Sequence, residues 1–152
     1  MLHEYSRMEL LIGEEGLKRL KNARVAVFGI GGVGSYVAEA LARCGIGTLI
    51  LVDNDQVSLT NLNRQLIALH STIGQAKTEV MKDRIRDINP EIVVHTYETF
   101  FMEDTAELFD FSSYDYVVDA VDTVTAKILL IEMAAAAGTP VISSMGTENK
   151  LD

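Results

Sequence analysis

The sequence predicts an α/β fold in which helices cover both faces of a doubly wound, mostly parallel sheet. Short apolar runs rich in β-branched residues alternate along the chain with segments of helical periodicity. Strands that are joined by helical crossovers pair in parallel. Glycines stand between the first apolar run and the helix after it, as at a sharp strand-to-helix turn. Because 48% of the 152 residues are apolar and no repeat or Pro/Ser-rich linker divides them, we expect residues 1–152 to form one domain.

The predicted elements follow this alternation from residue 24 onward. Gly45 ends the first predicted helix and Gly138 the last, since glycine commonly stands just after a helix. Asn89 and Pro90 end the second helix, because proline cannot continue a helix. The predicted strands span 24–28, 48–52, 92–97, 114–118 and 140–144, and the predicted helices span 32–44, 75–88, 103–109 and 125–137.

Three polar loops follow predicted strands at their carboxyl ends. They span residues 29–34, 53–65 and 119–123. Doubly wound sheets bind their ligands at this edge, beside the point where the strand order reverses. We therefore expect all three loops to face one ligand. In the third loop we expect Asp119 to cap the helix that follows it, and the alternative is that it shares the role of a metal ligand with Asp122.

The composition is acidic, and the charge is unevenly distributed. The net charge is −9. Residues 1–86 carry 11 Lys and Arg against 9 Asp and Glu, a net charge of +2, whereas residues 87–152 carry 2 against 13, a net charge of −11. Phosphate contacts supply most of a protein's affinity for nucleic acid, so an acidic domain binds it poorly by itself. Any basic surface has to come from the first 86 residues, from a partner or from further sequence.

Several features of the sequence predict the cellular location of the protein. Its one cysteine, Cys44, excludes an internal disulfide framework and a CxxC metal site within these residues. No window has the ~18 apolar residues of a membrane span, and the first residues lack a secretory signal pattern. We therefore expect a cytoplasmic protein with no membrane partner. Since the last residues, GTENKLD, add no closing helix, we also expect the full protein to continue beyond Asp152.

The loop GIGGVG, residues 29–34, contains the GxGxxG pattern of nucleotide-binding domains. It follows a predicted strand and opens a predicted helix, which is the context in which the pattern is informative. Asp53 ends the second strand, where a carboxylate commonly contacts ribose hydroxyls. The pattern predicts a Rossmann-like nucleotide-binding half but does not distinguish NAD from ATP. The predicted contacts are Gly29, Gly31, Gly32, Gly34, Asp53 and Asp55, the last without an assigned role.

The other polar residues near this edge favour ATP. None of the three histidines has neighbours that predict a hydride-transfer site. Chemistry at a phosphate needs alignment, a divalent cation and positive charge near the phosphates. Arg64 and Lys77 supply positive charge, and Asp122 is a carboxylate suited to Mg²⁺. Asn61 and Gln65 can orient the cations or donate hydrogen bonds. Each residue alone has an ordinary alternative, such as a helix cap for Asn61, but their convergence on one edge favours ATP.

Six motifs lie in order along the chain: GIGGVGS (29–35), LVDND (51–55), TNLNRQ (60–65), GQAKTEVM (74–81), INP (88–90) and DAVDT (119–123). In this order and spacing they resemble the motifs of the ThiF-type adenylating family. That family includes ubiquitin-activating-type enzymes and bacterial adenylyltransferases of sulfur-carrier proteins. The similarity runs from about residue 5 to residue 144.

The resemblance implies a homodimer that binds ATP and Mg²⁺ and adenylates a carboxylate. By motif position, the implied nucleotide loop contains Gly31 and Gly32, and Asp53 contacts the ribose. Arg7, in YSRMELL, matches the arginine that this family passes across the dimer interface into the neighbouring ATP site. The implied triphosphate contacts are Asn61, Arg64 and Lys77, the implied metal ligand is Asp122, and the implied catalytic residues are Arg7, Arg64, Lys77 and Asp122.

Three details resemble the branch of the family that dehydrates threonylcarbamoyladenosine in tRNA. Thr123 replaces the Asn of the commoner D-x-x-D-N motif, NLNRQ replaces NLQRQ, and GTENKLD ends the chain. This branch activates a carboxylate with ATP, and a ring then closes on it. An adenylyltransferase for a ubiquitin-like sulfur carrier, with a sulfur-carrier or sulfur-transfer protein as partner, remains an alternative. So do a nicotinamide-dependent oxidoreductase and a non-catalytic nucleotide-binding module.

Overall fold

Five parallel strands form one sheet in the computed structural model, which describes residues 2–144. The strands are β1 (Arg24–Phe28), β2 (Thr48–Val52), β3 (Val93–Tyr97), β4 (Tyr116–Asp119) and β5 (Val141–Ser143). They lie in the order β3-β2-β1-β4-β5, and every neighbouring pair is parallel. The strand order therefore reverses between β1 and β4. The predicted α/β fold with a doubly wound parallel sheet is confirmed.

In the described part of the chain, four α-helices accompany the sheet: α1 (Ser6–Asn22), α2 (Gly34–Arg43), α3 (Lys77–Ile88) and α4 (Val124–Ala137). Residues of α2 and α3 belong to the core on one face of the sheet, and residues of α4 belong to the core on the other face. Within residues 2–144, no helix combines the length and the apolar character that crossing a membrane would need.

Alternate residues of β1 enter two different cores. Val25 and Val27 face an aliphatic core, whereas Ala26 and Phe28 face an aromatic one, as expected from the two-residue period of a strand. All four are less than 7% exposed, because β1 is the central strand. In the aromatic core, the ring centroid of Phe28 lies 5.1–5.6 Å from those of Phe101, Phe109 and Phe111.

An ion pair links α2 to α3. The guanidinium of Arg84 donates two hydrogen bonds to the carboxylate of Glu39, at 2.5 and 2.8 Å. The hydrogen bond from Arg84 lowers the pKa of Glu39, and the positive charge of Arg84 adds to this effect. Since α2 begins at the glycine loop and α3 begins at Lys77, the pair helps to keep these two helix starts at a constant separation.

Two parts of the chain differ from the predicted elements. Helix α1 was not predicted, because none of its residues is buried and Gly13, at φ 76° and ψ 174°, interrupts its helical geometry. These features leave no continuous apolar stripe in the sequence. The predicted helix 103–109 is wrong in extent, since only a 3₁₀ turn at Ala106–Leu108 forms there. The resemblance drawn from GTENKLD lies outside the described residues.

Helix α1 starts at the amino-terminal edge of the sheet. The side-chain amide of Asn89 donates to the hydroxyl of Tyr5 at 2.6 Å, and this hydroxyl donates to the carbonyl oxygen of Ala42 at 3.4 Å. Ala42 lies near the end of α2, and Asn89 lies between α3 and the start of β3. Tyr5 therefore fastens the start of α1 to the edge opposite the carboxyl ends of the strands. Arg7 follows two residues later and is exposed.

Candidate active site

A cavity of about 860 Å³ opens at the carboxyl ends of the strands, beside the reversal of strand order. The three polar loops predicted to share an edge all contribute to its lining. Most of the predicted site residues lie there. They are Gly29, Gly31, Gly32, Asp53, Asp55, Arg64, Gln65, Lys77 and Asp122. Gly34, Asn61 and Arg7 do not line the cavity.

The glycine loop requires glycine at two positions for steric reasons. Gly29 has a φ of 96°, and a Cβ atom there would lie 2.5 Å from the carbonyl oxygen of Ala120. A Cβ atom on Gly34 would lie 1.6 Å from the carbonyl oxygen of Gly29. Gly34 therefore allows the start of α2 to pack against the loop. Gly31 and Gly32 instead lie at the cavity surface.

Asp53 joins the glycine loop to the loop after β2. The backbone N–H of Ile30 donates to Oδ2 of Asp53 at 2.7 Å, and the N–H of Asp55 donates to Oδ1 at 2.7 Å. Each carboxylate oxygen keeps further acceptor capacity, since an ionised carboxylate has about four lone-pair sites. Asp53 can thus order both loops and still accept a hydrogen bond from a ligand hydroxyl.

Lys77 is a buried cation at the start of α3. It is 5% exposed, and its Nζ atom lies 3.6 Å from Oδ2 of Asp55. Its backbone N–H donates to the carbonyl oxygen of Asp55 at 3.1 Å, and an isolated bridge pairs Gln56 with Ala76. The loop after β2 is therefore fastened to the start of α3. This pairing places Lys77 in the cavity and gives Asp55 a local partner.

Arg64 is the exposed cation of the cavity. Its Nη1 atom donates to the carbonyl oxygen of Thr60 and to Oδ1 of Asn63, both at 3.0 Å. Asn61 is 7% exposed, and its Oδ1 accepts the backbone N–H of Ser58 at 2.9 Å. The side chain of Asn61 thus stabilises the turn that precedes Arg64. Its contact with a triphosphate stays a prediction.

Gln65 is a buried amide in the cavity wall with spare bonding capacity. It is 8% exposed, and its Oε1 atom has no hydrogen-bond partner within the described residues. Its Nε2 atom lies 3.5 Å from the position that a Cβ atom on Gly31 would take. A buried polar atom without a partner is unfavourable, so a ligand donor at this point would be stabilising.

Asp122 is an exposed carboxylate in the loop between β4 and α4. Within residues 2–144, no three His, Cys, Asp or Glu side chains form a group able to hold a metal ion. Asp122 fits Mg²⁺ nevertheless, because Mg²⁺ commonly takes one or two carboxylates and completes its shell with water and substrate phosphates. The donor set therefore suits a cation that arrives with a nucleotide.

Asp119 does not cap α4, so that expectation is wrong. It is 0% exposed, and its carboxylate pairs with Lys127, whose Nζ atom lies 3.3 and 3.4 Å from the two oxygens. Thr123 holds the cap position but makes no capping hydrogen bond through its side chain. Lys127 lines the cavity and was missed in the sequence. The available signal was a single lysine within an otherwise apolar helix start, VTAKILL.

Part of the cavity lining is apolar. Phe28 and Val52 end β1 and β2, and Phe101 contributes a ring that is 3% exposed. Phe100, which is 39% exposed, lies at the rim. Aromatic and aliphatic walls beside a few placed polar groups are typical of ligand sites. This wall suits a flat heterocycle such as a nucleobase.

Fold and cavity together define a nucleotide-binding α/β domain, with a glycine loop, an acidic strand end and cations at one sheet edge. The ThiF family model matches residues 5–150, and the chain belongs to this family. It is 55% identical over its whole length to a tRNA threonylcarbamoyladenosine dehydratase of Bacillus subtilis, covering 60% of that protein. Against the Escherichia coli dehydratase, identity is 44% over 142 residues, which are 93% of this chain and 53% of that protein.

Solved structures show the same similarity. The crystal structure of the E. coli tRNA N6-threonylcarbamoyladenosine dehydratase in complex with ATP superposes with a TM-score of 0.93 at 42% identity. The match covers 98% of this chain and 61% of that one. An adenylyltransferase and sulfurtransferase of Vanderwaltozyma polyspora is 40% identical over 142 residues, covering 91% of this chain and 32% of that protein. The chain thus spans about half to three fifths of the dehydratases that it matches.

Proposed function

We propose that the full protein is an ATP-dependent enzyme that adenylates the carboxylate of threonylcarbamoyladenosine in tRNA and closes it to a cyclic, dehydrated product. One observation carries the proposal: Arg64, Lys77 and Asp122 line the same cavity as the glycine loop. No side chain there is needed as a general base, because a carboxylate nucleophile is already ionised at neutral pH. The site needs to align two anions and to stabilise the charge that develops on the phosphates.

The proposed reaction has two steps. A carboxylate oxygen of the substrate attacks the α-phosphorus of ATP, the bond from this phosphorus to the β-phosphate breaks, and pyrophosphate leaves. A neighbouring nitrogen or oxygen of the same modified base then attacks the acyl carbon, releasing AMP and a proton. The net change in the substrate is the loss of water. Neither step requires an enzyme thiol, so Cys44 needs no catalytic role.

In the proposed mechanism, different residues bind the nucleoside and stabilise the charge on the phosphates. The carboxylate of Asp53 accepts ribose hydroxyls, and the apolar wall around Phe101 holds the base. Lys77, whose position is fixed by burial and by Asp55, stabilises the negative charge of the phosphates. Arg64 stabilises the same charge from the solvent-exposed side of the cavity. Asp122 would hold Mg²⁺, which supplies positive charge to the phosphate oxygens when bound.

We also propose a homodimer in which Arg7 acts in the neighbouring site. Tyr5 fastens the start of α1 to the amino-terminal edge of the sheet, away from the cavity of the same chain. Leu10 and Leu11 of α1 are 87% and 82% exposed, which favours their burial against another chain. A two-fold interface would bring the α1 of each protomer toward the site of the other.

The sequence identities to the two groups of relatives favour tRNA over a sulfur-carrier protein as the substrate. The dehydratases match at 44–55% identity, whereas the adenylyltransferase and sulfurtransferases match at 36–40%. The acidic second half of the chain implies that RNA binds mainly outside this half. Within the full protein, the first 86 residues, the dimer groove and further sequence are the available surfaces.

The test compares two substrates with the full-length protein. ATP–pyrophosphate exchange is measured with tRNA that carries threonylcarbamoyladenosine, with the same tRNA lacking the modification, and with a ubiquitin-like sulfur-carrier protein. We expect exchange, and a product lighter by one water in the mass spectrum of the nucleosides, only with the modified tRNA. Exchange that responds to the carrier protein alone would establish the adenylyltransferase instead. Binding of NAD(H) without binding of ATP would identify an oxidoreductase.

A further inference from the structure

A buried ion pair lies beside the cavity and has no assigned role in the proposed reaction. Asp119, the last residue of β4, is 0% exposed, and Lys127, in the first turn of α4, is 7% exposed. Nζ of Lys127 also donates to the carbonyl oxygen of Ser144 at 2.6 Å, and the hydroxyl of Ser143 donates to the carboxylate of Asp119. The pair thus joins β4, α4 and the end of β5.

This ion pair contacts the loop that carries Asp122 through the carboxylate of Asp119, which Lys127 holds in place. At the first end, the carboxylate of Asp119 accepts the backbone N–H of Val121 at 3.1 Å. At the second end, the loop enters α4 through a helical backbone hydrogen bond from the N–H of Lys127 to the carbonyl oxygen of Thr123, which does not depend on the lysine side chain. Asp122 itself is exposed and makes no hydrogen bond to the residues that the structure describes. The backbone just before Asp122 is therefore held by Asp119, through the N–H of Val121, and not by contacts of the Asp122 side chain.

Stability alone does not account for a charged pair at this position. Removing two charges from water is costly, and well-packed apolar residues of similar volume often stabilise a protein as well or better. The pair also lies at the cavity and not in the middle of the core, since Lys127 lines the cavity with Asp122. A charged, hydrogen-bonded pair has a defined geometry that apolar residues lack, and this geometry constrains the adjacent loop.

We infer that Asp119 and Lys127 are positioning residues that set the Asp122 carboxylate for a nucleotide-bound divalent cation. Groups outside the metal's own shell commonly fix the orientation of its ligands, and here the pair would do so through the backbone N–H of Val121, next to Asp122. The inference rests on the proposed function, since it requires a nucleotide and Mg²⁺ in the cavity. Its specific consequence is that the pair affects Mg²⁺-dependent binding of the nucleotide more than binding without Mg²⁺.

The experiment measures nucleotide affinity of the full-length protein by calorimetry, with Mg²⁺ and with EDTA. The ligand is an ATP analogue with a methylene group between the α- and β-phosphorus atoms, which cannot be cleaved there. Lys127→Met should lower the Mg²⁺ enhancement of affinity by ~10-fold or more, the effect expected for a partner of a metal ligand. Affinity in EDTA should change by less than ~3-fold, which is within about 0.7 kcal/mol. Lys127→Arg, which can still pair with Asp119, should restore most of the enhancement.

A second variant covers the case in which Lys127→Met does not fold. Asp119→Asn combined with Lys127→Met removes both charges, so no uncompensated charge stays buried. The folded double variant should also lose the Mg²⁺ enhancement. As a matched control, Lys82→Met makes the same change at a lysine of α3 outside the cavity lining and should leave the enhancement unchanged.

The outcomes separate this inference from the proposed function. An unchanged enhancement in the folded double variant would overturn the inference, and so would equal losses of affinity with and without Mg²⁺. If Asp122→Ala keeps the full enhancement, or the unmodified protein shows none, the proposed metal site is wrong and the inference fails with it. Loss of enhancement in Asp122→Ala but not in the double variant would retain the proposed function and overturn only the role of the pair.

Discussion

Lys77 and Arg64, which both line the cavity, are held in different ways at the residue scale. Lys77 is buried and paired with Asp55, so its position is set before any ligand binds. Arg64 is exposed, and its guanidinium is oriented by Asn63 and by the carbonyl oxygen of Thr60. Asn63, which had no predicted role, thus acts on Arg64. A fixed cation and an adjustable one together suit a substrate whose phosphate charge moves during reaction.

Replacing Arg64 or Asp122 tests the proposed chemistry directly. We expect Arg64→Ala and Asp122→Ala each to lower turnover of the full-length protein by at least ~100-fold, because each removes charge near the reacting phosphates. The measurement is the rate of pyrophosphate release with modified tRNA. Arg86→Ala and Asp87→Ala are matched controls, since both side chains are exposed and lie outside the cavity lining. Near-normal turnover in both site variants would contradict the mechanism.

The glycine loop shows at the element scale how one motif serves both packing and binding. Gly34 packs the start of α2 against the carbonyl oxygen of Gly29, and no side chain fits between them. Gly32 instead faces the cavity, where a Cβ atom would lie 3.7 Å from Cγ of Arg64, an ordinary contact distance. The motif therefore contains two glycines needed for the fold, Gly29 and Gly34, and another, Gly32, that leaves room for a ligand.

Two alanine substitutions separate these roles. Gly34→Ala should destabilise the protein by about 3 kcal/mol or more, because the added methyl group overlaps backbone. Gly32→Ala should leave the free energy of unfolding nearly unchanged but weaken ATP binding by ~10-fold, since the methyl group lies in the space of the phosphates. Urea unfolding and calorimetric titration measure the two effects. A stable Gly34→Ala variant, or a Gly32→Ala variant with unaltered ATP affinity, would contradict this division.

At the scale of the whole molecule, Arg7 and the cavity lie at opposite edges of the sheet. Tyr5 fastens the start of α1 near the end of α2 and the start of β3, whereas the cavity lies at the carboxyl ends of the strands. The proposed catalytic role of Arg7 would therefore require a second copy of the chain. This arrangement makes the proposed homodimer testable by complementation.

Co-expression of two inactive variants should restore activity. In a mixed dimer of Arg7→Ala and Asp122→Ala protomers, one of the two sites receives both intact residues. Random pairing places such dimers in half of the population, so we expect roughly a quarter of the wild-type turnover for a two-fold dimer. Steady-state assays of the co-purified variants, with each variant alone as the control, measure it. Turnover no higher than that of the single variants would exclude a shared site.

Most of the correctly predicted elements were identified from residues that are close together in the sequence. The runs RVAVF and TLILV form β1 and β2, and the predicted helices that end at Gly45, Asn89 and Gly138 all form. These elements were predictable because the spacing of their apolar residues and the residues that end them lie close together in the sequence. Helix α1 was missed because it buries none of its residues and is interrupted at Gly13. The role of Asp119 was wrong because its partners, Lys127 and Ser143, come from other elements.

The sequence by itself determined the α/β class, the succession of the strands with α2, α3 and α4, and the carboxyl edge as the place for a nucleotide, since these follow from periodicity and from the chirality of parallel crossovers. Only the tertiary structure decided how each side chain is used. In the structure, the side chain of Asn61 stabilises a turn and Asn63 accepts a hydrogen bond from Arg64. Asp119 is buried and forms an ion pair with Lys127. Hydrogen bonds and burial depend on atoms brought together from distant parts of the chain, and a single sequence does not contain those distances.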